Sequence, residues 1–230
     1  MPSNIFKDIQ GRDKTGFTLA EVLITLSIIG VVAALTVPSL ARQYEKIQFR
    51  TAFKKQYSTI AQATARLMAD NGGTMNGILT YLNFQNEYCQ YLSCAKMCNY
   101  TDSTECWHAA GTTYLLNGQQ NNRSYNGTAV LKDGTLLAFY DRMASNDRTC
   151  DEIDGNDGIH TNDCGWVFVD VNGYKGPNTY GKDIFIVYIQ ENKVEPANYD
   201  DETGASPTNY CHASSSGYGC AAKVLQNIDY

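Results

Sequence analysis

The chain has 230 residues, a formal net charge of −6 and 43% hydrophobic residues, including 16 tyrosines and 8 phenylalanines. This length and composition suit one globular domain or two and argue against wholesale disorder. Charge is divided unevenly, because residues 17–70 carry six Lys or Arg against three acids and residues 71–230 carry nine against nineteen. An acidic C-terminal part argues against a general phosphate-binding surface, so nucleic acid is not indicated as a partner.

An apolar run spans residues 17–40 and contains a single ionisable side chain, Glu21. A helix needs roughly 20 apolar residues to cross a bilayer, so this run is long enough. On hydropathy alone, the simplest interpretation is a signal-anchor helix. Glu21 argues against a simple anchor, because a carboxylate in a membrane segment costs a few kcal/mol and is usually functional and partnered.

The sequence GFTLAE at residues 16–21, together with the apolar run behind it, resembles the processing signal of type IV prepilins and type II secretion pseudopilins. This resemblance implies that a prepilin peptidase cuts between Gly16 and Phe17 and that Phe17 becomes an N-methylated first residue. It also places Glu21 fifth in the mature chain, where the family keeps a glutamate, and Pro38 where many pilins have a helix-kinking proline. An ordinary secretory signal would lose its apolar part, whereas here that part is kept.

The predicted organisation has four segments. Residues 1–16 form a cleaved leader, whose three basic and two acidic residues favour a cytoplasmic location. Residues 17–40 form a transmembrane or filament-core helix, residues 41–70 form its amphipathic continuation, and residues 71–230 form a globular pilin-like head. The continuation is predicted from apolar residues at helical spacing, namely Leu40, Tyr44, Ile47, Phe53, Tyr57, Ile60 and Leu67. Pro38 is expected to bend this helix, and Asn71-Gly72-Gly73 is expected to end it.

The predicted fold class is α+β, a pilin-like roll in which the second half of the long helix packs on an antiparallel sheet of about four strands. Residues 129–140 indicate a hairpin around Asp133-Gly134, and residues 166–171 and 184–189 indicate two further strands. A short helix is expected from Ile78, Leu79, Leu82 and the aromatics that follow them, before the cysteine cluster that begins at Cys89. The apolar residues 221–225 suggest a final strand.

Eight cysteines, all beyond the apolar run, indicate disulfides formed in an oxidising compartment such as the periplasm or a cell surface. Cys150 with Cys164, and Cys211 with Cys220, each bracket a polar loop and are predicted to pair. Pairing within the cluster Cys89, Cys94, Cys98 and Cys106 stays open. Zinc at this cluster is a weaker alternative, because secreted chains more often make disulfides.

Oxygen-bearing side chains alternate around glycines in the stretch that contains Asp170, Asn172, Asn178 and Asp183. Such a pattern can ligate calcium, although no cofactor is required by the predicted function. The alternative is a tight Asn-Gly turn held by side-chain hydrogen bonds without an ion. A less patterned calcium candidate is the acidic loop with Asp151, Asp154, Asn156 and Asp157.

The predicted function is that of a structural subunit, pilin or pseudopilin, of a type IV pilus or a type II secretion-like filament. Its partners would be copies of itself, other pilin-like subunits, the prepilin peptidase and the inner membrane. The precursor would cross that membrane once with its head outside the cytoplasm, and the assembled filament would be periplasmic or extracellular. A monomeric membrane-tethered binding module is the alternative. A membrane-anchored enzyme has least support, because His108, His160 and His212 are far apart in sequence and no serine or cysteine stands in a recognisable nucleophile setting.

Overall fold

The computed structural model describes residues 16–79, 83–140, 150–152, 161–197 and 211–230 of the chain. The chain divides into two compact units, and the boundary falls between Glu45 and Lys46. Residues 46–70 therefore belong to the same unit as the sheet, whereas the predicted head begins at residue 71.

Helix α1 runs from Leu19 to Asp70 and includes Pro38 without interruption. In the first unit, every described side chain is exposed. By length and composition alone, this helix could cross a membrane. Ser27 and Thr36 each donate to a carbonyl four residues earlier, so these two hydroxyl groups are satisfied locally. This pairing reduces the cost of polar groups in an apolar medium. The bend at Pro38 stays a prediction.

In the second unit, α1 buries one stripe of side chains. This stripe contains Phe53, Gln56, Ile60, Ala63, Thr64 and Leu67. Full burial of a Phe, Ile or Leu side chain contributes about 1.5 to 3 kcal/mol, so this stripe is the main attachment of α1 to the sheet. The helix ends as predicted, because Gly72 adopts a positive φ of 90° and the Gly73 amide donates to the Met68 carbonyl.

The sheet of the described residues has seven strands, more than the four predicted, and every pairing in it is antiparallel. These strands are β1 Cys94–Asn99, β4 Gly127–Leu131, β5 Leu136–Tyr140, β6 Asp151–Glu152, β7 Thr161–Asp170, β8 Ile184–Gln190 and β9 Val194–Pro196. Six of them lie in the spatial order β1-β4-β5-β7-β8-β9, and β6 pairs with β7. Strands β2 (Thr113–Tyr114) and β3 (Gln120–Asn121) form a separate pair. The prediction missed β1, β6 and β9, because they are short or lack apolar alternation.

Both faces of the sheet carry aromatic side chains. On the face towards α1, the rings of Phe53 and Phe185 lie 4.5 Å apart. Helix α2 (Phe84–Cys89) covers Phe139, whose ring lies 5.1 Å from that of Phe84. On the other face, the Tyr125 ring packs 5.0 Å from that of Phe168. Strand β8, which lies between β7 and β9, is buried along its whole length as a result.

Two local predictions concern short segments, and one of them needs correction. The short helix lies at Phe84–Cys89, among the aromatics that follow Leu82, and residues 80–82 are outside the described part. The predicted final strand is wrong, because Cys220–Leu225 forms helix α3. This helix ends in a C-terminal cap, with Asn227 at a positive φ of 61° and the Ile228 amide donating to the Lys223 carbonyl. Ala, Lys and Leu favour a helix, and the apolar run was too short for its period to decide.

The structure pairs Cys150 with Cys164 and Cys211 with Cys220. It also pairs Cys89 with Cys94 and Cys98 with Cys106, the choice that the sequence left open. These last two bonds lie at the two ends of β1, an edge strand of the sheet. They fix a strand that is exposed at most of its positions and has little apolar surface to bury.

Candidate processing and assembly site

The predicted cleavage junction lies just before α1. Gly16, Phe17 and Thr18 precede the first helical residue, Leu19, and the Phe17 side chain is 88% exposed. A β-carbon added at Gly16 would meet no atom within 4 Å. A side chain at this position is therefore compatible with the structure of the chain, and any requirement for glycine must come from an enzyme that binds the junction.

Thr18 and Glu21 form a reciprocal cap at the start of α1. The Thr18 amide and hydroxyl both donate to Glu21 Oε2, at 2.8 and 2.9 Å. In return, the Glu21 amide donates to Thr18 Oγ1 at 3.2 Å. This arrangement is a capping box, which satisfies amides that the first helical turn otherwise leaves without partners.

Sequence reasoning missed this role of Glu21. The signal was present, because Thr-x-x-Glu before an apolar run is the sequence pattern of a capping box. The cap gives the carboxylate two hydrogen bonds within its own chain. The glutamate is consequently not an isolated charge, which lowers the cost of keeping it in an apolar segment.

The candidate calcium turn joins β7 to β8 and contains two buried carboxylates. Asp170 Oδ2 lies 2.7 Å from His108 Nε2, and Asp170 Oδ1 accepts from the Asn172 amide at 3.1 Å. Asp183 accepts from the amides of Asn178 and Thr179, at 2.8 and 2.7 Å. These contacts are the side-chain hydrogen bonds that hold a turn without an ion.

Burial raises the pKa of both carboxyl groups. For Asp170, burial outweighs the opposing hydrogen bond from His108. Burial, and then the charge of Asp170, raise the pKa of Asp183 to about 6. Two carboxylates close to each other in a buried turn repel each other, and a cation would relieve that repulsion.

Two further oxygens of the turn, Oδ1 of Asn172 and Oδ1 of Asn178, are buried without a hydrogen-bond partner in the described residues. Amide oxygens are calcium ligands, and a buried one without a partner is costly. In the same described part, no cluster of three or more His, Cys, Asp or Glu suited to a metal occurs. Any calcium here would therefore need amide or carbonyl oxygens beside the two carboxylates, and its binding stays a prediction.

The other predicted positions are dispersed. His108 is buried against Asp170, whereas His212 lies in a turn with Ser215. His160 and three residues of the acidic loop, Asp154, Asn156 and Asp157, lie outside the described residues.

The comparisons with known proteins give one family match. The model of the prokaryotic N-terminal methylation motif matches residues 11–37, a segment that contains Gly16, Phe17 and Glu21. The match supports a type IV prepilin-like family and confirms the resemblance drawn from residues 16–21. No curated protein and no solved structure matches the chain.

Proposed function

We propose that this chain is a structural subunit, pilin or pseudopilin, of a type IV pilus or a type II secretion-like filament. The observation that carries the proposal is the Gly16-Phe17 junction followed by Glu21, all within the matched methylation motif. A membrane tether needs neither a peptidase site nor a carboxylate in its apolar helix. A subunit that is cut and then polymerised uses both.

The exposed apolar side chains of α1 support the proposal. From Phe17 to Ile47, fifteen large apolar side chains are exposed, among them Leu35 and Leu40. Monomeric soluble proteins rarely expose an apolar surface of this extent, and such a surface marks a membrane or protein contact. Lipid would cover it in the precursor, and helices of neighbouring subunits would cover it in a filament.

The proposed partners follow from the sequence of cleavage, methylation and assembly. A prepilin peptidase would cut after Gly16, and Phe17 would be methylated. The α-amino group thus released stays cationic and can lie beside Glu21 of a neighbouring subunit. We place the precursor in the inner membrane with its head outside the cytoplasm, an arrangement that agrees with the four disulfides. The assembled filament would be periplasmic or extracellular.

A monomeric tethered binding module is the competing proposal. It shares the membrane helix but gives Glu21 no assembly role. An anchored enzyme has less support, because the motif that matches is typical of structural subunits.

The test is to shear cells that make the full-length chain and to measure its amount in the filament fraction relative to the membranes. Cells without prepilin peptidase are the matched control. We expect the chain in sheared filaments only when the peptidase is present. Full cleavage without any chain in filaments, in cells whose filament system is active, would favour the tether.

We also propose that Ca²⁺ binds the turn that contains Asp170, Asn172, Asn178 and Asp183. The two buried Asn oxygens without partners and the adjacent raised carboxyl pKa values support it. Calcium would stabilise the head without taking part in any reaction.

A further inference from the structure

One patch of the second unit combines basic and apolar side chains. Lys46, Ile47 and Arg50 lie on α1, and Ile228 and Tyr230 lie in the segment that follows α3. Ile47 is 63% exposed and Ile228 is 45% exposed. We call these five residues the juxtamembrane patch, because Lys46 follows the end of the apolar run by only six residues.

The segment after α3 is tied to α1 through the basic side chains of this patch. Arg50 Nη2 donates to the Ile228 carbonyl at 2.9 Å, and its guanidinium lies 5.0 Å from the centre of the Tyr230 ring. The C-terminal cap of α3 turns the backbone at Asn227 and directs Ile228 towards this contact. The basic and apolar members of the patch are thereby held together.

The patch already accepts an anion from its own chain. The Asp229 carboxylate lies 3.1 Å from Lys46 Nζ and 3.0 Å from Arg50 Nη1, yet its side chain is 83% exposed. Lys46 is itself 45% exposed, so its ammonium group retains access to solvent. A second anion can therefore approach Lys46 from outside.

We propose that the juxtamembrane patch binds the anionic headgroups of the membrane in which the precursor is held. Six helical residues span about 9 Å, which is comparable with the depth of a headgroup layer of roughly 5 to 8 Å. Basic side chains at this depth attract anionic lipids, and exposed aliphatic side chains beside them favour the lipid interface over a soluble anion. This contact rests on the proposed function, because it describes the subunit before it leaves the membrane.

The experiment uses the full chain in neutral detergent micelles that contain phosphatidylglycerol or phosphatidylcholine, with the retained lipid counted by native mass spectrometry. We expect wild type to retain phosphatidylglycerol at least five-fold more than phosphatidylcholine, and Lys46→Gln to reduce that ratio about five-fold. Asp229→Asn removes the internal competitor and should raise retention. Lys55→Gln is the matched control, because Lys55 lies on the same helix and also pairs with an aspartate, Asp133.

The outcomes separate the two proposals. Equal retention of both lipids by wild type, or an unchanged ratio in folded Lys46→Gln, overturns the headgroup contact. Displacement of phosphatidylglycerol by an equal concentration of glycerol phosphate also overturns it, because the site would then favour a soluble anion. Circular dichroism checks the fold of each variant. Entry of wild type into sheared filaments tests the proposed function independently of lipid retention.

Discussion

The Glu21 carboxylate accepts two hydrogen bonds from Thr18, three residues earlier, and so caps the helix that contains it. Both of these hydrogen bonds go to Oε2, so the proposed contact with a neighbouring α-amino group would add a charged partner to the same carboxylate. Before assembly the carboxylate has a local partner, and after assembly it would gain a charged one. The added contact forms only where the amine is close enough to pair with the carboxylate, so it would fix the register between neighbouring subunits.

We predict that Glu21→Ala leaves cleavage and the head intact but lowers the filament fraction at least ten-fold. Removing one partner of a pair in an apolar medium typically costs about 3 to 5 kcal/mol, because the other charge stays unpaired. The measurement is the amount of chain in sheared filaments relative to the membranes. Glu45→Ala is the matched control on the same helix and should assemble normally. Normal filament levels for Glu21→Ala would remove the assembly role from this residue.

We predict that the mature chain begins at Phe17, and that Gly16→Val blocks this cleavage. Intact mass and N-terminal sequencing in cells with an active prepilin peptidase measure both. An added side chain at Gly16 meets no neighbouring atom, so a block of cleavage would result from lost recognition by the peptidase rather than from misfolding. Retention of residues 1–16 by wild type beside active peptidase contradicts the prediction.

We predict that Cys150→Ser with Cys164→Ser lowers the free energy of unfolding by about 3 kcal/mol, the chain-entropy value for a loop of about 15 residues. The two cysteines are separated by 14 positions, and the Cys164 side chain is fully buried. Denaturant titration measures the loss, and non-reducing peptide mapping checks the pairing in wild type. Free thiols at Cys150 and Cys164 in the folded wild type would be evidence against this bond.

We predict a pH-dependent contribution from Asp133, in the turn between β4 and β5. Partial burial opposes its ionisation, but hydrogen bonds from Lys55, the Thr135 amide and Gln56 lower its pKa to about 2. An acid with a lowered pKa in the folded state stabilises above its unfolded pKa of about 3.9, and this stabilisation is lost as pH falls towards 2.

Because the Asp133 side chain is partly exposed, screening reduces the expected effect. Asp133→Asn should cost about 1 kcal/mol at pH 7 and close to nothing at pH 2. Denaturant titrations of wild type and variant at both values measure the difference. A difference that does not change with pH would mean that Asp133 acts through its shape or its neutral hydrogen bonds.

We predict that millimolar Ca²⁺ raises the melting temperature of the detergent-solubilised chain by several degrees relative to chelator. A ligand at about 100 times its dissociation constant adds about 2.7 kcal/mol, and each kcal/mol shifts the melting temperature by roughly 2 to 4 °C at this size. Asn172→Ala with Asn178→Ala should abolish the shift. Asn117→Ala, in another turn whose side chain caps the Gln119 amide, should retain it. An identical melting temperature with calcium and with chelator would rule out calcium binding at this turn.

The parts predicted best from sequence are those set by local chemistry. The end of α1 at Asn71-Gly72-Gly73 needs only a residue that tolerates positive φ. The hairpin around Asp133-Gly134 needs only a turn between two β-rich runs. Gly16, Phe17 and Glu21 form a short contiguous motif, so the methylation motif can be recognised without any tertiary contact.

The parts predicted poorly depend on distant neighbours. Strand β1 is exposed at most positions, so no apolar alternation marks it, and its pairing with β4 fixes it in the sheet. Residues 221–225 gave an apolar signal without a decisive period, and they form a helix that packs against β8 and β9. A short segment takes the structure that buries it best, which its own sequence does not specify.

The sequence by itself determined the methylation motif, the membrane-length helix, the end of that helix and the α+β class, because these follow from residue type and period. Only the tertiary structure decided the partners of Cys89 and Cys98, the extra strands, and the contact between Asp229 and the basic side chains of α1. Asp229 and Lys46 are far apart along the chain, and neither shows a local pattern that points to the other. They meet because burial of the sheet and the cap of α3 bring the two segments together, and such contacts are set by the packing of the whole head.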